Sequence, residues 1–351
     1  MRKLNLFAKK QPSCGLDLGG KWAKFVCLGS SRQGAKLQKM GRLVWRPNDW
    51  DKHADAAQRI RNLFSSMEVK NKVIVTSMAG HAVIIKRVAL TTNKAKSVDE
   101  NIHKEAKQYI PFDINDVYLD YQQTGPGKEE GTENVILVAS KKKMVQELQE
   151  VLHKADLGVS IVDVDAFALS NCFEFNYPEF TGEPCYLLDI GSQQSIFCVY
   201  WQNQPIFIRE VGFGGQQVTD RLANTLNINK SDAEKLKLNG PASLEEELRV
   251  EASREMDEVF KSWAGELERL IDFYRNSVEE AKTAERLFLA GGGSLLNGLR
   301  AAFAKQLDFE VQYLDPWKKI DKDFQSFDKN YLQSVGPQFA VAVGLALREL
   351  I

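Results

Sequence analysis

Two aspartates, each followed two residues later by a glycine, are the residues of this sequence best suited to chemistry. Residues 15–27 read GLDLGGKWAKFVC and residues 187–199 read LLDIGSQQSIFCV, so Asp17 and Gly19 match Asp189 and Gly191. In each, an apolar strand runs into Asp-x-Gly, turns through small or polar residues and returns as a second strand. Glycine there lets the backbone turn tightly and bring its N–H groups close to a phosphate. An aspartate at a strand end can hold a Mg2+-bound water without touching the phosphate itself. On this reading Gly19, Gly20, Gly191 and Ser192 frame two phosphate turns, while Asp17 and Asp189 reach Mg2+ through water. The plainer alternative is a pair of strand-end carboxylates accepting turn N–H groups. One such motif is common by chance. Two in matching settings constrain each other.

Two more glycine clusters follow predicted strands. Gly214 and Gly215 come after a strand over Ile206–Glu210 and lead into a helix over Gln216–Asn224. Gly291, Gly292 and Gly293 stand between an apolar strand starting at Arg286 and a further helix. A strand, a glycine turn and a helix leave bare backbone where a planar or anionic ligand meets no side chain. The triplet is not a P-loop, because no Gly-Lys-Ser/Thr follows it, and it does not match G-x-G-x-x-G.

Two similar α/β lobes are needed to position these turns. After the first hairpin, Leu37–Val44 extends the sheet, Ala54–Ser66 has helical spacing and Lys72–Ser77 reads as a buried strand. A strand over Val83–Leu90, a helix over Ser97–Ile110 and strands over Val117–Gln123 and Asn134–Ser140 form a compact strand–helix–strand–strand unit. A helix over Lys143–Ala155, a strand over Ile161–Val164 and a helix from Phe167 to Glu174 follow. In the second half Ser243 and Glu246 fit a capping box at the start of a long helix. Met256, Val259, Phe260, Trp263, Leu267, Leu270, Ile271 and Tyr274 recur every three or four residues along that helix, the mark of a core face.

Bulk properties exclude several classes. At 351 residues the chain exceeds one ordinary domain. Forty-six basic residues balance 47 acidic ones, so no broad positive field is available for nucleic acid. No apolar run reaches the roughly 18 residues of a membrane span. The basic first eleven residues lack the apolar stretch of a secretory signal, and export is not expected. Leu4, Leu6 and Phe7 among Arg2, Lys3, Lys9 and Lys10 read as a frayed end, or as a weak contact with an acidic membrane surface. Five cysteines without a C-x-x-C pair fit a reducing compartment, and the four scattered histidines make no metal site.

The ordered motifs resemble those of the actin/Hsp70/sugar-kinase superfamily: two D-x-G hairpins, a glycine triplet after a strand and a final GPQFAVAVGLAL helix. Within it the chain resembles the PilM family of type IV pilus assembly, in the FtsA-like branch. The residues that carry this are Glu105-Ala-Lys-Gln-Tyr-Ile-Pro-Phe112 with Val117, Val162-Asp-Val-Asp-Ala-Phe-Ala-Leu169, Ile206-Phe-Ile-Arg209 with Gly214-Gly215, Ala233-Glu-Lys235 and Ala342–Leu347.

The resemblance implies an actin-like two-lobed ATPase fold of the α/β class with an inserted small subdomain. It assigns 12–82 and 156–184 to the first lobe, 83–155 to the insert and 185–351 to the second lobe, with a helical subdomain at about 217–284. It implies ATP and Mg2+ between the lobes, weak ATPase activity at most, and a scaffold function. The implied partner is the cytoplasmic N-terminal peptide of a PilN-type inner-membrane protein, with other pilus assembly proteins in reach. The chain would then be cytoplasmic and peripheral to the inner membrane. Tyr109, Pro111 and Phe112 are the implied partner contacts, although Pro111 also simply ends a helix.

By the same resemblance Lys24 matches a lysine of the first hairpin and Ser195 stands where a phosphate-facing threonine is usual. Asp165, beside Asp163, takes the position of a water-orienting catalytic group. Glu234 and Lys235 lie below the adenosine site, to contact ribose or base; a solvated helix face is the alternative. One departure is Gly20-Lys21-Trp22, where relatives carry serine or threonine: Lys21 would substitute a charge for hydroxyls, whereas Trp22 would crowd the turn. A small-molecule kinase and a nucleotide-free scaffold are the rival readings.

Overall fold

The computed structural model describes residues 11–32, 34–46, 48–91, 102, 105–129, 131–278 and 281–350. The basic and apolar residues Arg2–Lys10 lie outside it, as does half of the helix predicted over Ser97–Ile110, of whose described residues Ile102, Glu105 and Ala106 are helical.

The alternation read from the sequence becomes two five-stranded sheets of one topology. In the first, β1 (Ser13–Leu18), β2 (Trp22–Ser31) and β3 (Gly34–Val44) form an antiparallel meander. Beyond β1, β4 (Val73–Met78) and β8 (Gly158–Val164) add parallel, giving the order β3-β2-β1-β4-β8. In the second, β9 (Cys185–Ile190), β10 (Ser195–Trp201), β11 (Gln204–Val211), β12 (Arg286–Ala290) and β13 (Glu310–Tyr313) repeat it as β11-β10-β9-β12-β13. The repeat holds at single-residue register: Asp17 faces Lys24 across the first hairpin and Asp189 faces Ile196 across the second. The echo between two short segments is therefore an echo between whole lobes.

Inserted in the chain between β4 and β8 is a three-stranded sheet, order β5-β7-β6, made of β5 (Val83–Thr91), β6 (Val117–Pro126) and β7 (Thr132–Lys141). Ile102, Ala106 and Ile110 cover it with Val88, Leu90 and Leu137 as a separate small core. The first lobe is packed by α1 (His53–Ser66) and α2 (Lys142–Lys154), which bury Ile60, Phe64, Val151 and Leu152 against β1 and β2. Helix α3 (Asp165–Asn176) follows β8.

The second lobe carries α4 (Gly215–Thr225), α5 (Lys230–Asn239), α6 (Glu246–Ser277), α7 (Leu299–Gln306) and α8 (Lys329–Val335). The aromatic stripe of α6 is core, with Phe260, Trp263 and Tyr274 at most 2% exposed. The expected capping box is not at its start. Pro241–Ser243 forms a separate 3-10 turn, so the N-cap is Glu245 and no side chain caps it.

The last helix, α9 (Ala340–Leu347), comes back to the first sheet. It is buried along its whole length and packs on α3 and β1, in the first lobe. Each meeting surface contributes a glycine. A Cβ on Gly344 would lie 1.7 Å from the Ala168 carbonyl oxygen, and one on Gly15 would lie 2.3 Å from that of Ala342. The chain crosses back at its end, so the two lobes share a core containing Leu187, Phe288, Ala168 and Val343.

Candidate functional site

A cavity of about 540 Å3 opens between the two sheets at the hairpin turns. Ten of the expected residues line it: Asp17, Gly19, Gly20 and Lys24 from the first hairpin, Asp165 from α3, Asp189, Gly191 and Ser192 from the second hairpin, and Gly291 and Gly292. The turns meet. A Cβ on Gly20 would stand 3.1 Å from Ser192 Oγ, and one on Gly291, whose φ is +80°, would stand 2.0 Å from Asp189 Oδ1. Only glycine fits at 291 on both counts.

Local anchors hold the turns. The Trp45 indole N–H donates to the Gly19 carbonyl at 2.9 Å, the Gly191 N–H donates to Gln194 O at 3.0 Å, and the Gly291 N–H donates to Pro337 O at 2.8 Å. Trp45 had no recognisable signal in the sequence, because its partner is 26 residues away on another strand end. Trp22 does not crowd the turn. Its ring takes the Arg42 guanidinium at 4.7 Å, and Arg42 in turn donates to Gln338.

The electrostatics of the cavity are dominated by carboxylates around one lysine. Lys24 Nζ lies 2.6 Å from Asp17 Oδ2, with both side chains nearly buried. Burial disfavours the Lys24 charge, but Asp17, Asp189 and Asp165 more than offset this and hold its pKa above the usual value. Burial, with Asp17 close by, pushes Asp165 up to about 7. Burial likewise pushes Asp189 up to about 6, with Lys24 opposing and Asp17 adding to the shift. Ser77 Oγ is buried beside Asp165 without a well-aligned hydrogen bond. Three carboxylates thus face one lysine, a deficit of positive charge that Mg2+ would correct. Among the described residues no three His, Cys, Asp or Glu side chains are placed to ligate a metal together.

A sign follows for pH. Both raised carboxylates keep protons in the folded state that the unfolded chain gives up above a pH of about 4. Their contribution to stability is full below that point and declines as pH rises through about 6 to 7. We expect the melting temperature of the ligand-free protein to drop over that range, and added Mg·ATP to restore more of it at a pH of about 8 than at about 5.5. Melts at four pH values check this; a ligand shift independent of pH would contradict it.

Other expected residues lie outside the cavity. Ser195 is 1% exposed and donates to Phe213 O at 2.7 Å, so its hydroxyl is used up on the loop after β11. Gly214, Gly215 and Gly293 form a layer behind the turn: the Gly215 N–H donates to Gly191 O at 3.0 Å and the Gln216 N–H to Ser192 O at 2.7 Å. Lys235 points outward and pairs with Asp232 at 2.9 Å. Glu234 is held instead by Lys237 Nζ at 2.7 Å and Thr219 Oγ1 at 2.6 Å. Lys237 was missed, since one helical turn separates it from the motif and sequence spacing does not tell which lysine turns inward. Lys21 lies across from this network and its charge acts on Glu234.

Two grooves flank the inserted sheet, and each runs between unpaired strand edges. One, about 750 Å3, lies between β5 and β11 and takes Tyr109 and Pro111; its cations are Lys86, Lys107 and Arg209, against Glu210. Phe112 is outside it, 36% exposed, with the Lys141 ammonium 4.1 Å from its ring. The other, about 720 Å3, lies between β6 and β8, with apolar walls from Leu119, Ile136, Ile161 and Phe167. It carries Asp120 and Asp163, the latter paired to Arg348 at 2.9 Å.

A family model described as type IV pilus assembly protein PilM matches residues 15–350. The chain belongs to the PilM family. Among solved structures, a PilM–PilN type IV pilus biogenesis complex is similar with a TM-score of 0.86 and 26% identity, over 97% of this chain and 98% of that one. The ethanolamine utilization protein EutJ from Carboxydothermus hydrogenoformans follows at 0.57 and 14%, over 96% and 89%. MreB 5 of Spiroplasma citri bound to AMPPNP gives 0.50 and 10%, over 96% and 95%. The two-lobed actin-like fold is thus shared well beyond PilM proteins. Among the described residues, no helix is long and apolar enough to cross a membrane.

Proposed function

We propose that this PilM-family protein is an assembly scaffold that binds Mg·ATP between its lobes and a PilN-type peptide beside its inserted sheet. The observation that carries the nucleotide reading is the meeting of two matched aspartate–glycine turns around one buried excess of negative charge. When bound, Mg2+ would supply the missing positive charge. The chain's own part is then specific. Asp17 and Asp189 would hold the metal through water, and Lys24, paired with Asp17, would supply a cation for a phosphate oxygen. Backbone of Gly19, Gly20, Gly191 and Ser192 lines the phosphates, and the Gly291–Gly292 bend leaves room for the nucleoside. Because the turns belong to different lobes, binding favours closure.

Asp165 is the candidate base for hydrolysis: burial, with Asp17 close by, raises its pKa to about 7 in the ligand-free cavity, the range in which a carboxylate can take a proton from water near neutrality. We expect Asp165→Asn to lower phosphate release while leaving the calorimetric affinity for Mg·ATP within about threefold of the unaltered chain. No heat from Mg·ATP in the unaltered protein would remove the nucleotide reading.

For the partner, charge selects a groove. A short cytoplasmic flank of an inner-membrane protein carries an excess of Lys and Arg. That favours the β6/β8 groove, with Asp120 and Asp163, over the more basic groove at Tyr109 and Pro111. Extended segments add to open strand edges, with alternate side chains entering apolar walls. Docking there would keep the protein at the inner face of the membrane. A titration with the N-terminal peptide of the PilN-type partner tests the choice. Asp120→Lys should weaken binding by about tenfold and Lys86→Glu should not; the reverse pattern would return the site to the Tyr109 end.

A further inference from the structure

We infer that the groove between β5 and β11 docks an acidic, extended segment of a partner protein, added as a strand to an open sheet edge. The groove is longer than one cavity. The space of about 750 Å3 at Tyr109 and a smaller one of about 270 Å3 beside Ser277 and Val278 share Ile85, Lys86, Ile208 and Arg209, so they run together along the two strands. Among the described residues β5 pairs only with β7 and β11 only with β10, which leaves one edge of each open. Ile85 and Ile208 pack inward on Val164, Ala166 and Ile196, and this makes the floor apolar. Pro205, which has no N–H to donate, stands in β11 as proline does on an edge strand.

Charge selects the occupant. Lys86, Arg87, Lys107 and Arg209 line the groove against one carboxylate, Glu210, which already accepts the Gly80 N–H. Among the described residues none of the four forms an ion pair. The Arg209 guanidinium lies 4.8 Å from the Phe207 ring and 5.4 Å from that of Phe273, so its position is set before any anion arrives. Burial lowers the pKa of Arg87, a cost that a neighbouring carboxylate would offset. In an extended peptide alternate side chains point to opposite faces. One face can therefore lie on the isoleucines while the other turns acids to the rim, and the main chain pairs with an edge. An anionic lipid surface would also meet these cations, but it has no use for the strand edges. The β6/β8 groove, with Asp120 and Asp163, has the opposite preference.

The probe is a dye-labelled peptide of about seven residues alternating glutamate and valine, titrated with the full chain by fluorescence anisotropy. Saturable binding is expected, and it should weaken as salt is raised. Lys86→Glu and Arg209→Glu, both at exposed positions, should each weaken it by about tenfold, and the milder Lys86→Gln by about threefold. Asp120→Lys, in the other groove, should leave it unchanged. The same peptide N-methylated at alternate residues should bind at least about tenfold more weakly, because it cannot pair with an edge. No binding of the unmodified peptide, equal binding of the N-methylated one, or indifference to both charge reversals would overturn the inference. Phosphatidylglycerol vesicles that bind through Lys86 and Arg209 when the peptide does not would overturn it too, and would assign these cations to a lipid surface. A lysine–valine peptide, whose binding should depend on Asp120 and not on Lys86, reports on the PilN-type reading separately.

Discussion

Asp189→Asn is expected to make the ligand-free protein more stable at a pH of about 8 and to abolish its stabilisation by Mg·ATP. The carboxylate is buried, and burial is the main cause that lifts its pKa to about 6. At pH 8 the folded state therefore carries an anion that the cavity disfavours. An amide of the same size removes that cost, on the order of 2 kcal/mol. Lys24 keeps its partner, because its ion pair is with Asp17. On the proposed reading, the variant also loses one of the two carboxylates that would hold Mg2+ through water, so stability would rise while the response to Mg·ATP falls. Melting curves with and without Mg·ATP decide it. A less stable variant that still responds to Mg·ATP would remove Asp189 from the metal site.

Gly344→Val should destabilise the protein by about 3 kcal/mol or more. Glycine inside a helix usually costs about 1 kcal/mol relative to alanine, so filling such a position is ordinarily favourable. Here the sign reverses. The first added carbon would already overlap the backbone of Ala168, which no side-chain rotation can relieve. Helix α9 would have to move off α3 and, with it, off β1 and the core that the lobes share. Gly265 in α6 is the control: an added carbon there meets nothing within 4 Å, so Gly265→Ala should stabilise by about 1 kcal/mol. Denaturant midpoints for the two variants separate the explanations, and equal midpoints would mean that the close approach of α9 does not matter.

Much of the architecture could be read before any coordinates. The strands at 37–44, 72–77, 83–90, 117–123 and 134–140 match β3, β4, β5, β6 and β7 to within a few residues at either end. They are legible because period-2 burial and turn chemistry act over neighbouring residues. The two Asp-x-Gly turns were legible for the same reason, and their equivalence extends to the facing residues Lys24 and Ile196. The ends of the helices were harder. Ser243 and Glu246 satisfy a local capping rule, yet the 3-10 turn at Pro241 moves the helix start past them.

The sequence by itself determined that there are two matched lobes, that each offers an aspartate–glycine turn, and that a small sheet is inserted within the first of them. Tertiary structure decided which groups serve the cleft. It turned Ser195 inward and Lys235 outward, brought Lys237 to Glu234, and returned α9 to the first lobe. Those choices depend on contacts between residues far apart in the chain, such as Gly344 on Ala168 or Gly20 against Ser192. A local pattern fixes a bend, but only packing fixes what the bend faces.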